Sequence, residues 1–204
     1  MRGRRGRDLF GFFGGLVVLL ESGASARRGV GRAEERIFRV VNRVPDRAFG
    51  SVWLPMQYGT FGTVPALSVL ALARRRPRLA VALFAAGSLA WVLAKAAKPI
   101  VARGRPGTTV QDAVIRGKEE GDQGFPSGHA AVSAALTTVA LPYVSDGWRP
   151  LPLALAGFVP LARVYVGAHL PLDSIGGSAL GVAVGCAINL GLGVGHPPGP
   201  ERRR

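Results

Sequence analysis

The chain has 204 residues, 48% of them hydrophobic, with 26 Lys and Arg against 12 Asp and Glu for a formal net charge of +14. The apolar residues gather in long blocks between short polar stretches, which points to a bilayer rather than to one soluble core. The basic residues fall at the chain ends and between the blocks, without zinc-finger spacing, a recognition-helix pattern or an aromatic strip, so anionic lipid headgroups suit them and nucleic acid does not.

In chain order, residues 9–20 form a first apolar run behind the basic stretch at residues 1–7. This imitates a secretion signal, but Glu21 follows and Ser25-Ala26-Arg27 is a poor cleavage site, so a retained anchor or span is expected. The run is short for a crossing of about 20 residues. Residues 21–47 are polar and carry seven arginines, while Ile37, Val40, Val41 and Val44 follow helical spacing. That pattern predicts a helix lying in the headgroup plane, the alternative being a solvated helix packed on the domain.

Residues 48–73 are long enough to span, with Trp53 and Tyr58 placed as interfacial anchors and Pro55 and Pro65 as sites of kinks. A basic turn of Arg74, Arg75, Arg76 and Arg78 follows, then a clear span over residues 79–97 in which Lys95 snorkels. Residues 98–125 make the largest polar insertion, with Lys98, Arg103, Arg105, Arg116, Lys118, Glu119, Glu120 and Asp122, and a short helix is expected at 110–116. Further spans are predicted at 127–144, from 150 to about 166, and at 174–195, before a basic tail at 196–204. Cys186, the single cysteine, lies in the last apolar run as a buried small residue and excludes an intrachain disulfide or a multi-cysteine metal centre.

The fold class is therefore an all-α polytopic helix bundle of five clear spans and a short sixth at the N-terminus. It divides into an N-terminal segment 1–47, a membrane domain 48–195 and the tail 196–204. With the Arg74–Arg78 turn on the cytoplasmic side, alternation puts the 98–125 and 167–173 loops outside and the basic C-terminus inside. The arginine-rich 21–47 segment then lies outside, against the charge rule, and interfacial placement softens that conflict.

This topology puts three polar clusters on one side of the membrane: Lys98 with Arg105, Ser127 with His129, and Arg163 with His169 and Asp173. Ionisable groups at membrane depth are costly unless paired or used. Lys98, Arg105 and Arg163 suit a phosphate, the guanidiniums offering two-pronged contacts. Ser127 is a natural helix cap, and Gly128 lets backbone come close to a ligand at a positive helix end. His169 and Asp173 are four residues apart, on one helical turn or in a turn entering the helix at Pro171. Either way the carboxylate orients one ring nitrogen and leaves the other to attack phosphorus. His129 then serves as general acid and later activates water. No second carboxylate cluster stands near the histidines to hold metal ions, so no cofactor is expected.

Three ordered segments carry a specific resemblance: KPIVARGRP from Lys98 to Pro106, Pro-Ser-Gly-His from Pro126 to His129, and ARVYVGAHLPLD from Ala162 to Asp173. Together they resemble the type 2 phosphatidic acid phosphatase family, which also includes haloperoxidases and bacterial undecaprenyl-diphosphate phosphatases. The resemblance covers roughly residues 48–195. It implies phosphate binding by Lys98, Arg105, Ser127, Gly128 and Arg163, acid catalysis by His129, nucleophilic attack by His169 and its orientation by Asp173. It implies six transmembrane helices in the bacterial cell membrane, an active site facing away from the cytoplasm, and a lipid phosphate or diphosphate as substrate. Ala162 departs from the family, which often has Ser there. Competing readings are a non-catalytic lipid-phosphate binder or carrier, and a vanadate-dependent haloperoxidase, against which the membrane spans argue.

Overall fold

A computed structural model describes residues 2–117 and 121–193, with side chains from Arg5 onward. Lys118, Glu119 and Glu120 of the polar insertion and the tail at 196–204 lie outside the described residues. Among the described residues the architecture is all-helical, with one isolated bridge between Gly104 and Gln123. The helices are α1 (Arg2–Ala26), α2 (Arg32–Asn42), α3 (Phe49–Met56), α4 (Thr63–Ala73), α5 (Pro77–Val101), α6 (Pro106–Thr109), α7 (Gly128–Ala140), α8 (Pro150–Tyr165) and α9 (Pro171–Leu192).

Three of these are long and apolar enough to cross a membrane: Arg5–Ala26, Pro77–Val101 and Pro171–Leu192. The first is longer than the apolar run at 9–20 because the flanking small and polar residues continue the same helix. Helices α7 and α8 have 13 and 16 residues, shorter than the spans expected there.

The span expected at 48–73 is divided. Helix α3 ends at Met56, a 3₁₀ turn covers Gln57–Gly59, and α4 begins at Thr63. The physical reason is a close approach that hydropathy does not register. A Cβ on Gly59 would stand 2.6 Å from the His129 carbonyl oxygen, so the chain presses against α7 at this point. The hydroxyls of Thr60 and Thr63 both donate to the Gln57 carbonyl at 2.8 Å, taking an acceptor that a continuing helix would use. Tyr58, read as an interfacial anchor, instead reaches Thr137 on α7 with its hydroxyl at 2.9 Å.

Helix α9 is the centre of the bundle, packed by α1, α5, α7 and α8. Small residues allow this. A Cβ on Gly15 of α1 would lie 2.8 Å from the Ala179 carbonyl oxygen, and one on Gly185 would lie 2.6 Å from Thr138 Cβ on α7. Cys186 is buried under Gly11, as its apolar setting implied. The main core joins α4, α5, α7 and α9 through Val64, Leu83, Leu136, Val139, Leu180 and Val184.

Helix α2 packs on the bundle by one face. Glu34, Phe38 and Asn42, spaced four apart, are buried against the bundle, while Ile37, Val40 and Val44 face outward. Asn42 holds the polar insertion: its amide donates to the Val114 and Tyr165 carbonyls at 2.8 and 3.0 Å and accepts from the Val114 N–H at 2.9 Å.

The short helix expected at 110–116 is displaced to Pro106–Thr109. Pro106 supplies the first helical residue, and the Thr108 and Thr109 hydroxyls turn back to the Arg105 carbonyl at 3.0 and 2.8 Å. Arg116 is then a clamp on extended chain. It bonds the Asn42 and Tyr165 carbonyls at 2.8 and 2.7 Å and pairs with Asp46 at 2.7 Å.

Candidate active site

The starts of α7 and α9 are tied together. Ser127 caps α7, its hydroxyl accepting from the Ala130 N–H at 3.5 Å, while its own N–H donates to the Asp173 carbonyl at 2.9 Å. A Cβ on Gly128 would meet nothing within 4 Å, so the space before this helix end is open. The first N–H groups of α7, at Gly128 and His129, border that space.

The end of α8 fixes the nucleophile candidate. Arg163 is buried in its last turn, and its carbonyl accepts from the N–H groups of both Ala168 and His169, at 3.1 and 3.2 Å. Gly167 makes this reversal with φ of +73°, a conformation that favours glycine. The chain then enters α9 at Pro171, so His169 precedes the helix and Asp173 sits in its first turn. Of the two backbone arrangements open to this pair, the turn entering the helix is the one observed.

Asp173 is fully buried and occupied on both oxygens. Oδ2 accepts from the Leu170 N–H at 2.9 Å and stands 3.6 Å from His169 Nδ1, just beyond hydrogen-bond length. Oδ1 accepts from Arg103 Nη1 at 3.0 Å. A Cβ on Gly124 would fall 2.6 Å from Oδ2, so only glycine leaves room for this carboxylate.

Arg103 and its partner Glu34 are residues that sequence reasoning missed. Arg103 lay inside the first motif segment but was counted only as one charge of a polar loop. Its Nη1 and Nη2 also bond Glu34 Oε1 and Oε2 at 3.0 and 2.5 Å, joining α2 to α9. Burial opposes its charge, but the hydrogen bond to Glu34 and the Asp173 carboxylate outweigh burial and hold Arg103 protonated.

Two neighbouring cavities meet at Arg105 and His129. One, of about 500 Å³, is lined by Lys98, Arg105, Gly128, His129 and His169, with Phe61 and Trp91 on its apolar side. The other, of about 270 Å³, adds Arg163 and is walled by Phe49, Trp53 and Met56. Lys98 reaches the Gln123 carbonyl at 2.5 Å, and Arg105 the Ala168 carbonyl at 2.8 Å. Six of the eight sequence-chosen residues thus line the joined cavities. Ser127 and Asp173 are buried behind the walls, Ser127 as the cap of α7 and Asp173 beside His169. Ala162 is buried in an apolar cluster with Met56, Tyr165 and Val166, where a methyl group suits its surroundings.

His169 is 2% exposed, and burial, aided by the nearby Arg163 and Arg105 charges, outweighs Asp173 and pushes its imidazolium down to about 4. The ring is therefore neutral at pH 7 with a lone pair available. A neutral imidazole backed by a carboxylate, beside cationic side chains and a helix N-terminus, can attack a bound phosphorus centre and stabilise its oxygens.

A family model described as the PAP2 superfamily matches residues 67–192. An undecaprenyl-diphosphatase of Sulfolobus acidocaldarius is 32% identical over 119 residues, which are 58% of this chain and 57% of that relative, so the match spans little more than half of the relative's length. Two crystal structures share the fold. The PAP2-type phosphatidylglycerolphosphate phosphatase from Bacillus subtilis aligns with a TM-score of 0.73 at 19% identity, covering 88% of this chain and 94% of that one. Aquifex aeolicus LpxE aligns with a TM-score of 0.69 at 21% identity, covering 75% and 92%.

Proposed function

This chain belongs to the PAP2 superfamily, and we propose that it is a membrane phosphatase hydrolysing a lipid-linked phosphomonoester or diphosphate through a covalent phosphohistidine. The reading rests above all on one cavity bordered together by Lys98, Arg105, Gly128, His129 and His169. Lys98, Arg105 and Arg163 hold the phosphoryl oxygens, helped by the N-terminal N–H groups of α7 that Ser127 and Gly128 place.

In the first step His169 attacks phosphorus with its outer ring nitrogen, and the bond to the lipid oxygen breaks. Before substrate binds, burial and the Arg163 charge hold His129 neutral; the negative phosphate that arrives with substrate favours the protonated imidazole, which gives the lipid oxygen its proton. Asp173 stabilises the positive charge that develops on His169, its 3.6 Å separation from Nδ1 closing to a hydrogen bond accepted from Nδ1–H when substrate is bound. In the second step His129 takes a proton from water, whose oxygen attacks phosphorus and breaks the bond to nitrogen. Inorganic phosphate leaves and both histidines return to their starting states.

The lipid tail lies along the apolar walls at Phe61 and Trp91 or at Phe49 and Trp53. Polyprenyl diphosphate, phosphatidylglycerol phosphate and phosphatidic acid are the substrate candidates. The exposed arginines on α2 and just after it, among them Arg32, Arg36 and Arg43, meet anionic lipid headgroups. The protein resides in the cell membrane with this site on the extracytoplasmic face. Support comes from Arg74, Arg75 and Arg76 just before α5 and Arg78 in its first turn, while Lys98 stands near its other end.

The test is phosphate release from those three lipids in mixed micelles, by the wild type and by His169→Ala. Release by the wild type and none by the variant is expected. Equal release by both removes His169 as nucleophile.

A further inference from the structure

We propose that Glu34 and Arg103 are positioning residues that hold the Asp173 carboxylate against His169 and keep its charge directed at the imidazole. The proposal rests on the phosphatase reading above.

Three charged side chains form one buried cluster, with Arg103, Glu34 and Asp173 side chains 3%, 8% and 0% exposed. Glu34 comes from α2, Arg103 from the loop after α5 and Asp173 from the first turn of α9. Two carboxylates share one guanidinium: Glu34 takes both Nη atoms, at 3.0 and 2.5 Å, whereas Asp173 takes only Nη1, at 3.0 Å. Glu34 Oε1 also accepts from the Leu172 N–H at 2.9 Å, fixing the cluster to the backbone that carries the nucleophile.

The charges explain why two carboxylates are needed. The cluster sums to −1, so Arg103, shared with Glu34, only partly offsets the Asp173 charge. Arg105, Arg163, Lys98 and His129 face His169 from its other sides as positive or protonatable groups. As the imidazole gains a phosphoryl group its ring becomes more positive, and Asp173 is the negative group behind it. Without the Glu34 charge, Arg103 would act on Asp173 alone and weaken that support. Arg103 thereby positions by hydrogen bond, and Glu34 by charge.

The experiment compares wild type, Glu34→Gln and Arg103→Lys in lipid micelles. It reads kcat and KM together with the His169 titration by NMR of 15N-histidine protein, assigned by its loss in His169→Ala. Glu34→Gln should lower kcat by roughly tenfold to a hundredfold, as loss of a partner behind an active group does, at unchanged KM. It should also move the His169 midpoint to lower pH, because the imidazolium has lost a negative neighbour. Arg103→Lys keeps the charge without the shared fork and should show a smaller fall in kcat. Wild-type kcat in both variants overturns the proposal, as does a loss of activity in Glu34→Gln in which the His169 midpoint stays fixed. A wild type that releases phosphate from no lipid refutes the phosphatase reading instead, and the His169 midpoints still judge the positioning claim.

Discussion

Asp173 Oδ2 stands 3.6 Å from His169 Nδ1, with both side chains buried, and the same oxygen accepts from the Leu170 N–H at 2.9 Å. The bond from Leu170, the residue between His169 and the helix, fixes the carboxylate to the turn that carries the imidazole. Replacing Asp173 by Asn keeps the shape but removes the charge and offers the wrong hydrogen-bonding group to Nδ1. Turnover should fall on the order of 10³- to 10⁴-fold, as when the orienting carboxylate of another catalytic histidine is lost, measured as phosphate release at saturating substrate.

The pH dependence follows from the same burial. With its imidazolium lowered from 6.5 to about 4, His169 stays neutral as pH falls through the range where a free histidine takes up a proton. The acid limb of kcat/KM due to His169 should therefore lie near pH 4. Folding stability has the matching sign: the unfolded chain binds the proton first, so stability falls as pH drops from about 6.5 to about 4. An acid limb assigned to His169 near 6.5 would contradict the buried geometry.

Gly124 borders the same carboxylate. In Gly124→Ala the new Cβ would lie 2.6 Å from Asp173 Oδ2, and Arg103 and Leu170 leave that oxygen little freedom to retreat. We expect kcat to fall at least tenfold, on the order of the loss from displacing a catalytic group by a fraction of an ångström. Gly128→Ala makes the contrast, because its Cβ meets no protein atom and only bound substrate would feel it. Its effect should therefore appear in KM.

Positive charge around the two cavities comes from the Lys95, Lys98, Arg105, Arg116 and Arg163 side chains. Phosphate release should accordingly persist in the presence of a chelator such as EDTA. Arg105→Lys should lose activity despite keeping its charge, because the planar fork reaching Ala168 cannot be reproduced. Orthovanadate should inhibit competitively with substrate.

Packing offers a test apart from catalysis. Gly15→Leu places a side chain where even a Cβ would be 2.8 Å from the Ala179 carbonyl, so α1 must move off α9. A destabilisation of about 1–3 kcal/mol is expected from such overpacking, read as a lower thermal midpoint in detergent.

Much of the candidate site was legible in the sequence because its residues lie in three short segments, each with local geometry. Ser127 caps a helix and Pro171 opens one, so both histidines could be placed at helix ends without the fold. The break at residues 57–62 was not legible, since it comes from Gly59 pressing on α7 and hydropathy reads only apolar content. Helix α1 was underestimated because its ends are small or polar residues that still continue the helix. The short helix after Arg105 had a signal, Pro106 as a helix-starting residue, that the polar composition obscured. Arg103 and Glu34 are 69 positions apart, and only the three-dimensional packing of α2 on the site reveals them as partners of Asp173.

The covalent step of the proposed mechanism is the most direct point to measure. Wild-type protein mixed with 32P-labelled lipid phosphate is quenched within the first turnover, kept alkaline, and digested to locate the label. The proposed mechanism predicts 32P on the peptide containing His169, none in His169→Ala, and release of that label as inorganic phosphate. Turnover by the wild type with no label on the protein, or equal labelling of His169→Ala, would contradict it.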